Sequence, residues 1–161
     1  YVYKRQQEYE YVRHHGSWND FCQNLDVIRK LDHKISFNML HFILNYDSIH
    51  SCIDFFKAKG FNDNSFIIGP LYQPAHFNTL NLPNSIVHQV VSKLKNKLSA
   101  NPQGYLKNSY ENLVAYYTQT PWSKNIKSFI YNIHVMDKRR KLDSRKIFIK
   151  LYEELDAYTL E

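Results

Sequence analysis

Residues 34–44 read KISFNMLHFIL, an apolar run that contains neither proline nor glycine. Apolar side chains fall on both alternating sets of positions, a pattern typical of a strand buried on both faces in a parallel sheet. Asp47 follows as a candidate N-cap, and Gly60 is the residue type that most readily ends a helix. Between them, one helical face carries Ile49, Cys52, Ile53 and Phe56. The sequence therefore predicts a strand followed by a helix.

A second short apolar run, Phe66 to Ile68, follows this helix. A strand, a crossover helix and a strand form the unit from which parallel sheets are built. Pro70 ends the second strand because proline lacks the N–H that a continuing ladder needs. Ligands of parallel α/β proteins collect beyond the carboxyl ends of the strands, which here are residues 43–46 and 68–74. We expect the outer edge of the first strand to be covered by a partner or by the amino-terminal residues.

Helical patterns surround this unit. Residues 1–10 fit either a helix or an irregular lead-in, and Ser17 is a candidate N-cap for the helix that follows them. Further helices are predicted over residues 18–28, 83–98, 106–117, 121–141 and 143–155. Residues 101–104, NPQG, separate an α/β region over 1–100 from a helical carboxyl-terminal cap over 101–161. The predicted fold class is α/β.

Composition indicates a folded domain with a basic character. The chain has 161 residues, of which 43% are hydrophobic and 16% aromatic, enough for one substantial core. The formal charge of +6 is compatible with an anionic partner, although biased nucleotide composition explains it as well. The two cysteines lie on apolar helix faces, which favours buried thiols in a reducing compartment. We therefore expect a cytoplasmic protein without a leader or a membrane span.

Three stretches carry a resemblance to a known family. The loop after the second strand, residues 69–83, reads GPLYQPAHFNTLNLP. Residues 9–25 read YEYVRHHGSWNDFCQNL, and residues 129–155 contain LDSR at 142–145 and EEL at 153–155. In this order the three stretches resemble the carboxyl-terminal half of radical SAM proteins that carry a twitch domain. The resemblance spans about residues 9 to 156, nearly the whole chain.

The resemblance implies a fold, a cofactor and a missing part. Full-length relatives would cleave S-adenosylmethionine reductively with a [4Fe–4S] cluster, which needs three cysteines in a Cys-x3-Cys-x2-Cys loop. This chain has only Cys22 and Cys52. The implied protein is a half-barrel fragment that contributes cofactor-facing and substrate-facing surface. It is expected to be inactive alone and to depend on an amino-terminal half-barrel, in cis or in trans.

The resemblance also implies which residues face the cofactor. Arg13 would lie near the methionine carboxylate, Asn45 would bond to the ribose or adenine edges, and Gly69 and Pro70 would contact the adenine through their backbone. Each residue has a simpler explanation as well. Arg13 fits a solvated residue before a helix, Asn45 a turn former, and Gly69-Pro70 a strand stop. The sequence predicts no catalytic residue and no metal ligand.

The histidines do not form a recognisable catalytic or metal-binding pattern. His14 and His15 are adjacent, so their side chains point apart on a helix or strand and serve one ion poorly. His41 lies at the carboxyl end of the first strand, inside the opening where a barrel ligand would lie, although a buried ring bonded to a backbone carbonyl is a sufficient explanation as well. No Asp, Glu or Ser is placed near His76 by spacing, so a triad is not proposed.

A stand-alone binding module is the competing hypothesis. The predicted helix over 121–141 ends in a basic run and also carries two aromatic residues, a combination that could be a nucleic-acid footprint. These residues are Lys138, Arg139, Arg140, Lys141, Trp122 and Tyr131. Together with the Lys-rich helix over 83–98, they could hold nucleic acid or an acidic protein surface. Cations at a helix carboxyl end are also ordinary dipole partners, and a structural domain without a ligand stays a third hypothesis.

Overall fold

The computed structural model describes residues 2–31, 33–121 and 125–159 and is mixed α/β, mostly helical. In chain order its elements are α1 (Val2–Val12), α2 (Trp18–Ile28), β1 (Phe37–His41), α3 (Ile49–Ala58), β2 (Phe66–Pro70), α4 (Asn84–Ser99), α5 (Gly104–Gln119), α6 (Ile126–Arg140), α7 (Ser144–Ile147) and α8 (Ile149–Thr159). Two compact units divide the chain. One comprises Tyr1–Ile35 with Ile130–Glu161, and the other comprises Ser36–Phe129.

The unit Ser36–Phe129 contains the predicted strand–helix–strand motif. Strands β1 and β2 pair in parallel with Phe37 opposite Phe66 and His41 opposite Pro70, and α3 connects them. Within the described residues the sheet has these two strands alone. The parallel pairing that the sequence predicted is therefore confirmed.

One face of this sheet is covered and the other is open. Phe37 stacks on Phe56 of α3 at 4.2 Å between ring centroids, and Phe66 is fully buried. On the opposite face, Leu40 and Ile67 are 52% and 42% exposed. The prediction that both faces of the first strand are buried was wrong, because among the described residues the packing partners of its apolar side chains lie on one side.

Helices α4 and α5 complete the unit. Helix α4 follows Pro83, as predicted, and α5 packs against both α4 and β2. The backbone N–H of Ile68 donates to the Ser109 hydroxyl of α5 at 2.9 Å, and that hydroxyl donates to the Tyr105 carbonyl at 2.7 Å. The core of this unit includes Ile43, Ile53, Phe56, Phe66, Val87, Leu94, Leu106 and Leu113. The predicted division at residue 100, which falls between α4 and α5, stays a prediction.

Several helix ends differ from the sequence prediction. Helix α3 begins after Ser48, whereas Asp47 forms an ion pair with Lys93 of α4. Gly60 ends this helix in the left-handed conformation, with φ 94°. The predicted last helix is divided at Phe148, whose buried ring packs edge-on against Tyr11 with 5.2 Å between centroids. Asp143 caps the first part by accepting from the Arg145 N–H, as predicted.

In the other unit, a half-buried carboxylate connects several helices. Asp137 of α6 accepts hydrogen bonds from the Tyr11 hydroxyl at 2.7 Å and from the Ser144 hydroxyl at 2.7 Å. Its second oxygen also accepts from the Ser144 backbone N–H at 3.1 Å. Because these donors belong to α1 and to the start of α7, one side chain links three helices. Ser17 caps α2 by accepting from the Asp20 N–H, as predicted.

The amino-terminal residues, for which the sequence left two possibilities, form helix α1. No helix in the described ranges combines the length and the apolar character that a bilayer crossing requires. Trp122, predicted as an aromatic residue of the basic helix, lies outside the described residues.

Candidate functional site at the carboxyl edge of the parallel strands

The carboxyl ends of β1 and β2 lie side by side. Leu40 is paired with Gly69 and His41 with Pro70, and the Leu71 N–H donates to the His41 carbonyl at 3.0 Å. Three of the four predicted cofactor contacts, Asn45, Gly69 and Pro70, therefore come to one edge of the sheet. Arg13 belongs to the other unit and lies in the turn after α1.

Asn45 closes the turn that follows β1. Its side-chain oxygen accepts from the Phe42 N–H at 2.8 Å, and its amide nitrogen donates to the Leu40 carbonyl at 2.7 Å. This geometry is the turn-forming role that the sequence left open. An amide can donate twice and accept twice, so each end of the Asn45 amide retains capacity for one further hydrogen bond. Asn45 thus connects the turn to the strand position that pairs with Gly69.

Gly69 faces open space. A Cβ atom built on this glycine would have no heavy atom within 4 Å apart from its chain neighbours. Since side chains alternate along a strand, Gly69 shares a face with the half-exposed Ile67, and its partner Leu40 is exposed as well. The open face at this edge is therefore apolar, and a ligand could approach the backbone closely at Gly69.

His41 does not enter this opening. The ring is fully buried on the covered face, where Nδ1 lies 2.6 Å from the Tyr117 hydroxyl and 3.5 Å from Thr79 Oγ1. The pKa of His41 is lowered to about 3, mainly by burial and to a smaller extent by the nearby His50. The Tyr46 backbone acts in the opposite direction. Its Nε2 has no hydrogen bond of good geometry in the described part of the chain. His41 is therefore a neutral core residue at pH 7.

The loop after β2 is organised by two asparagines that the sequence reasoning did not single out. Asn78 donates to the Leu71 carbonyl at 2.8 Å and to the Tyr116 hydroxyl at 2.7 Å. Asn81 donates to the Ala75 carbonyl at 2.7 Å. Asparagine favours turns in which its side chain bonds to nearby backbone, and this was the signal available in the sequence. The two asparagines fix the path of a loop whose Tyr72 ring is 60% exposed.

The turn after α1 carries Arg13, His14 and His15, all exposed. His15 adopts a positive φ of 64°, and a Cβ on Gly16 would lie 2.8 Å from the Arg13 carbonyl oxygen, so the tight turn depends on glycine. The ring centroids of His14 and His15 lie 3.9 Å apart, so in this turn the two side chains do not point apart as predicted for a helix or strand. In the residues that the structure describes, no group of three or more His, Cys, Asp or Glu is placed to hold a metal ion.

The basic run at the end of α6 divides into two roles. Arg140 is half-buried and donates from Nη1 to the Tyr11 carbonyl at 2.9 Å. Lys138, Arg139 and Lys141 are exposed. Of the four residues predicted to contact an anionic partner, Arg140 therefore has a structural role.

Two of the three lysines of α4 are engaged within their own unit. Lys93 pairs with Asp47, and the Lys97 ammonium lies 3.9 Å from an Asp54 carboxylate oxygen. These ion pairs offset positive charge that the sequence assigned to a binding helix. The helix over 83–98 is consequently the weaker of the two predicted basic surfaces.

Comparison with known proteins yields no matching family model, no matching curated protein and no matching solved structure.

Proposed function

We propose that this chain is the carboxyl-terminal part of a radical SAM half-barrel and that it contributes the cofactor-facing and substrate-facing edge of a larger assembly. The observation that carries the proposal is the parallel pair β1–β2 with one open apolar face, whose carboxyl edge gathers Asn45, Gly69 and Pro70. In parallel α/β folds this edge is where ligands bind.

The open face supports the presence of further strands in the assembly. Parallel sheets are normally covered on both faces, and half-exposed Leu40 and Ile67 would be buried if more strands curved around them. On the outer edge of β2, the Ile68 backbone N–H already donates a hydrogen bond to the Ser109 hydroxyl of α5. Strand β1 is therefore the edge on which we place an amino-terminal half-barrel, supplied in cis or in trans.

The residues at the edge would divide the recognition of S-adenosylmethionine between them. Asn45 has hydrogen-bonding capacity left for a ribose hydroxyl or an adenine edge. Gly69 and Pro70 would offer backbone to the adenine because no side chain blocks Gly69. Arg13 belongs to the other unit and is proposed for the methionine carboxylate from the sequence resemblance alone, with a guanidinium group that suits a carboxylate. When bound to a reduced cluster, the cofactor would supply an organic radical.

The cluster itself does not fit this chain. Its two cysteines, Cys22 and Cys52, belong to different units and form no disulfide, so three ligands in one loop are lacking. We therefore propose that the chain is catalytically silent until another segment supplies the cluster. Two described cysteines without a disulfide also fit a reducing cytoplasm, which is part of this proposal.

The direct test begins with the coding sequence upstream of this segment and with chains that co-purify with it. We expect a Cys-x3-Cys-x2-Cys loop in one of them, and the assembled protein, loaded with iron and sulfide without oxygen, should form 5′-deoxyadenosine from S-adenosylmethionine under a reductant. Absence of the loop from both sources, or a loaded protein that forms no 5′-deoxyadenosine, would overturn the proposal.

A matched pair of variants tests the site in that assembly. Gly69→Val fills the open space with an isopropyl group, and we expect the Kd for S-adenosylmethionine to rise about tenfold. Asn38→Val places the same group on the open face at the amino end of β1, where no effect on the Kd is expected. Equal Kd values for Gly69→Val and the wild type would exclude the cofactor from this edge.

A further inference from the structure

The exposed side of α6 carries an aromatic residue in line with positive charge. Tyr131, His134 and Lys138 are spaced by three and four positions, so they lie on one helical face, and Lys141 follows just beyond the end of the helix. We call these four residues the α6 stripe. All four are exposed, and the Tyr131 ring is 69% exposed. The opposite side of the helix is buried through Ile133 and anchored through Asp137.

Further positive charge lies at the carboxyl end of the same helix. The bond from Arg140 to the Tyr11 carbonyl brings the end of α1 to this point, and Arg13, His14 and His15 follow directly. The pKa of His14 is lowered, first by partial loss of solvation and then by the nearby His15 and Arg140. Two basic segments that are far apart in the sequence therefore meet at the end of α6.

Three carboxylates of this unit already have partners. Asp137 accepts from Tyr11 and Ser144. The Asp143 carboxylate lies 3.3 Å from the Lys146 ammonium, and Arg145 donates to both oxygens of Asp156. No ion pair involves Lys138 or Lys141 in the part of the chain that the structure describes. In contrast to Lys93 and Lys97 of α4, these two cations keep their charge available to a partner.

We infer that the α6 stripe binds single-stranded nucleic acid, with Lys138 and Lys141 on phosphates and the Tyr131 ring stacked on a base. An exposed ring beside cations is what a flexible strand requires, because an unpaired base can stack while lysines neutralise its backbone. A duplex keeps its bases stacked internally, so Tyr131 would gain little from it. This inference does not depend on the proposed radical SAM role.

The first test titrates the purified chain against a fluorescein-labelled 20-nucleotide single-stranded RNA and follows anisotropy between 50 and 300 mM salt. The double variant Lys138→Ala, Lys141→Ala should bind about tenfold more weakly at 100 mM salt, and the salt slope should fall by about 1.4, since each contact on a single strand contributes about 0.7. Tyr131→Ala should weaken binding about fivefold or more with an unchanged salt slope.

The matched control removes two exposed lysines from other helices, Lys95→Ala with Lys107→Ala, and should keep nearly all of the wild-type affinity. An equal loss in this control, an unchanged Kd for Tyr131→Ala, or a lack of saturable binding would each overturn the inference. Competition by polyglutamate as effective as that by unlabelled RNA would assign the surface to acidic proteins and would also overturn it. Circular dichroism confirms that each variant is folded.

Discussion

Ser109 shows how one hydroxyl closes an edge of the sheet. The Ile68 N–H points away from β1, and its acceptor is the buried Ser109 oxygen of α5 rather than another strand. Because the same hydroxyl donates to the Tyr105 carbonyl, two backbone groups are satisfied by one side chain. A buried N–H without an acceptor costs about 1–3 kcal/mol.

We therefore expect Ser109→Ala to lower the free energy of unfolding by about 1–3 kcal/mol, measured by guanidinium denaturation. Ser99→Ala is the matched control, because the Ser99 hydroxyl also donates to a backbone carbonyl three residues earlier but is exposed. Its effect should stay within about 0.5 kcal/mol. A Ser109→Ala protein as stable as the wild type would show that Ile68 has another acceptor.

His41 and His50 are residues whose burial has a consequence for stability against acid. Burial is the first cause of the lowered pKa in both, to about 3 for His41 and about 4 for His50. For His50 the charges of Lys97 and Lys93 lower the pKa further, whereas Asp54 and Asp47 raise it. Each ring lies beside a tyrosine hydroxyl, at 2.6 Å from Tyr117 for His41 and at 3.3 Å from Tyr110 for His50.

Stability should consequently fall as the pH is lowered from about 6.5 toward 4. Below pH 6.5 the unfolded chain binds protons on both imidazoles, whereas the folded chain binds them only near pH 4 and pH 3. Each histidine contributes up to about 1.4 kcal/mol per pH unit in this window. Denaturation curves between pH 7 and 4.5 measure the slope, and His50→Gln should reduce it. Exposed His134→Gln is the control. If the dependence of unfolding free energy on pH were the same in His50→Gln as in the wild type, this explanation would be contradicted.

At the scale of elements, Asp137 joins three helices in the unit that contains both chain ends. The carboxylate accepts from the Tyr11 hydroxyl and from both the hydroxyl and the backbone N–H of Ser144. The Ser144 hydroxyl also lies 2.6 Å from the Tyr152 hydroxyl, so α8 is connected to the same network. The pKa of Tyr11 is raised, first by burial of its hydroxyl and then by its hydrogen bond to Asp137.

Asp137→Asn should destabilise this unit by about 2–4 kcal/mol, because bonds to a charged acceptor are replaced by weaker ones and the amide N–H groups face donors. Tyr11→Phe removes one donor and should cost less. Amide hydrogen exchange in α1, α7 and α8 measures the local loss, and exposed Glu153→Gln is the control. Unchanged exchange rates in α7 for Asp137→Asn would show that the carboxylate does not hold these helices.

At the scale of the whole molecule, the chain forms two compact units, and the one over Ser36–Phe129 is continuous in sequence. It contains the β1–α3–β2 motif, α4, α5 and the start of α6. Buried Phe129 packs edge-on against Phe77, with 5.8 Å between the ring centroids. Both strands and the helices that cover them thus belong to one contiguous segment.

We expect the fragment 36–129 to fold cooperatively by itself, as measured by a thermal transition in circular dichroism and by protected amides in β1 and β2. The shorter fragment 36–121 lacks Phe129 and should melt at a lower temperature, because burial of a phenylalanine contributes about 3–5 kcal/mol. A fragment 36–129 without a cooperative transition would show that this unit depends on the rest of the chain.

The candidate site could be predicted from the sequence only in part. Local spacing placed Asn45 and Gly69 after two parallel strands, and the structure brings both to one edge. Whether Arg13 joins them stays a prediction. The partners of Asn78, among them Tyr116 of a helix far along the chain, were not predictable because no local pattern specifies them.

The sequence by itself determined the order of the elements, the parallel strand pair and helix caps such as Ser17, because periodicity and caps act over a few neighbouring residues. Tertiary structure alone decided which face of the sheet is covered, that His41 is a core residue beside Tyr117, and that Asp137 links α1 to α7. These features arise when side chains that are distant in sequence pack together and are desolvated. Local sequence patterns do not specify such long-range contacts.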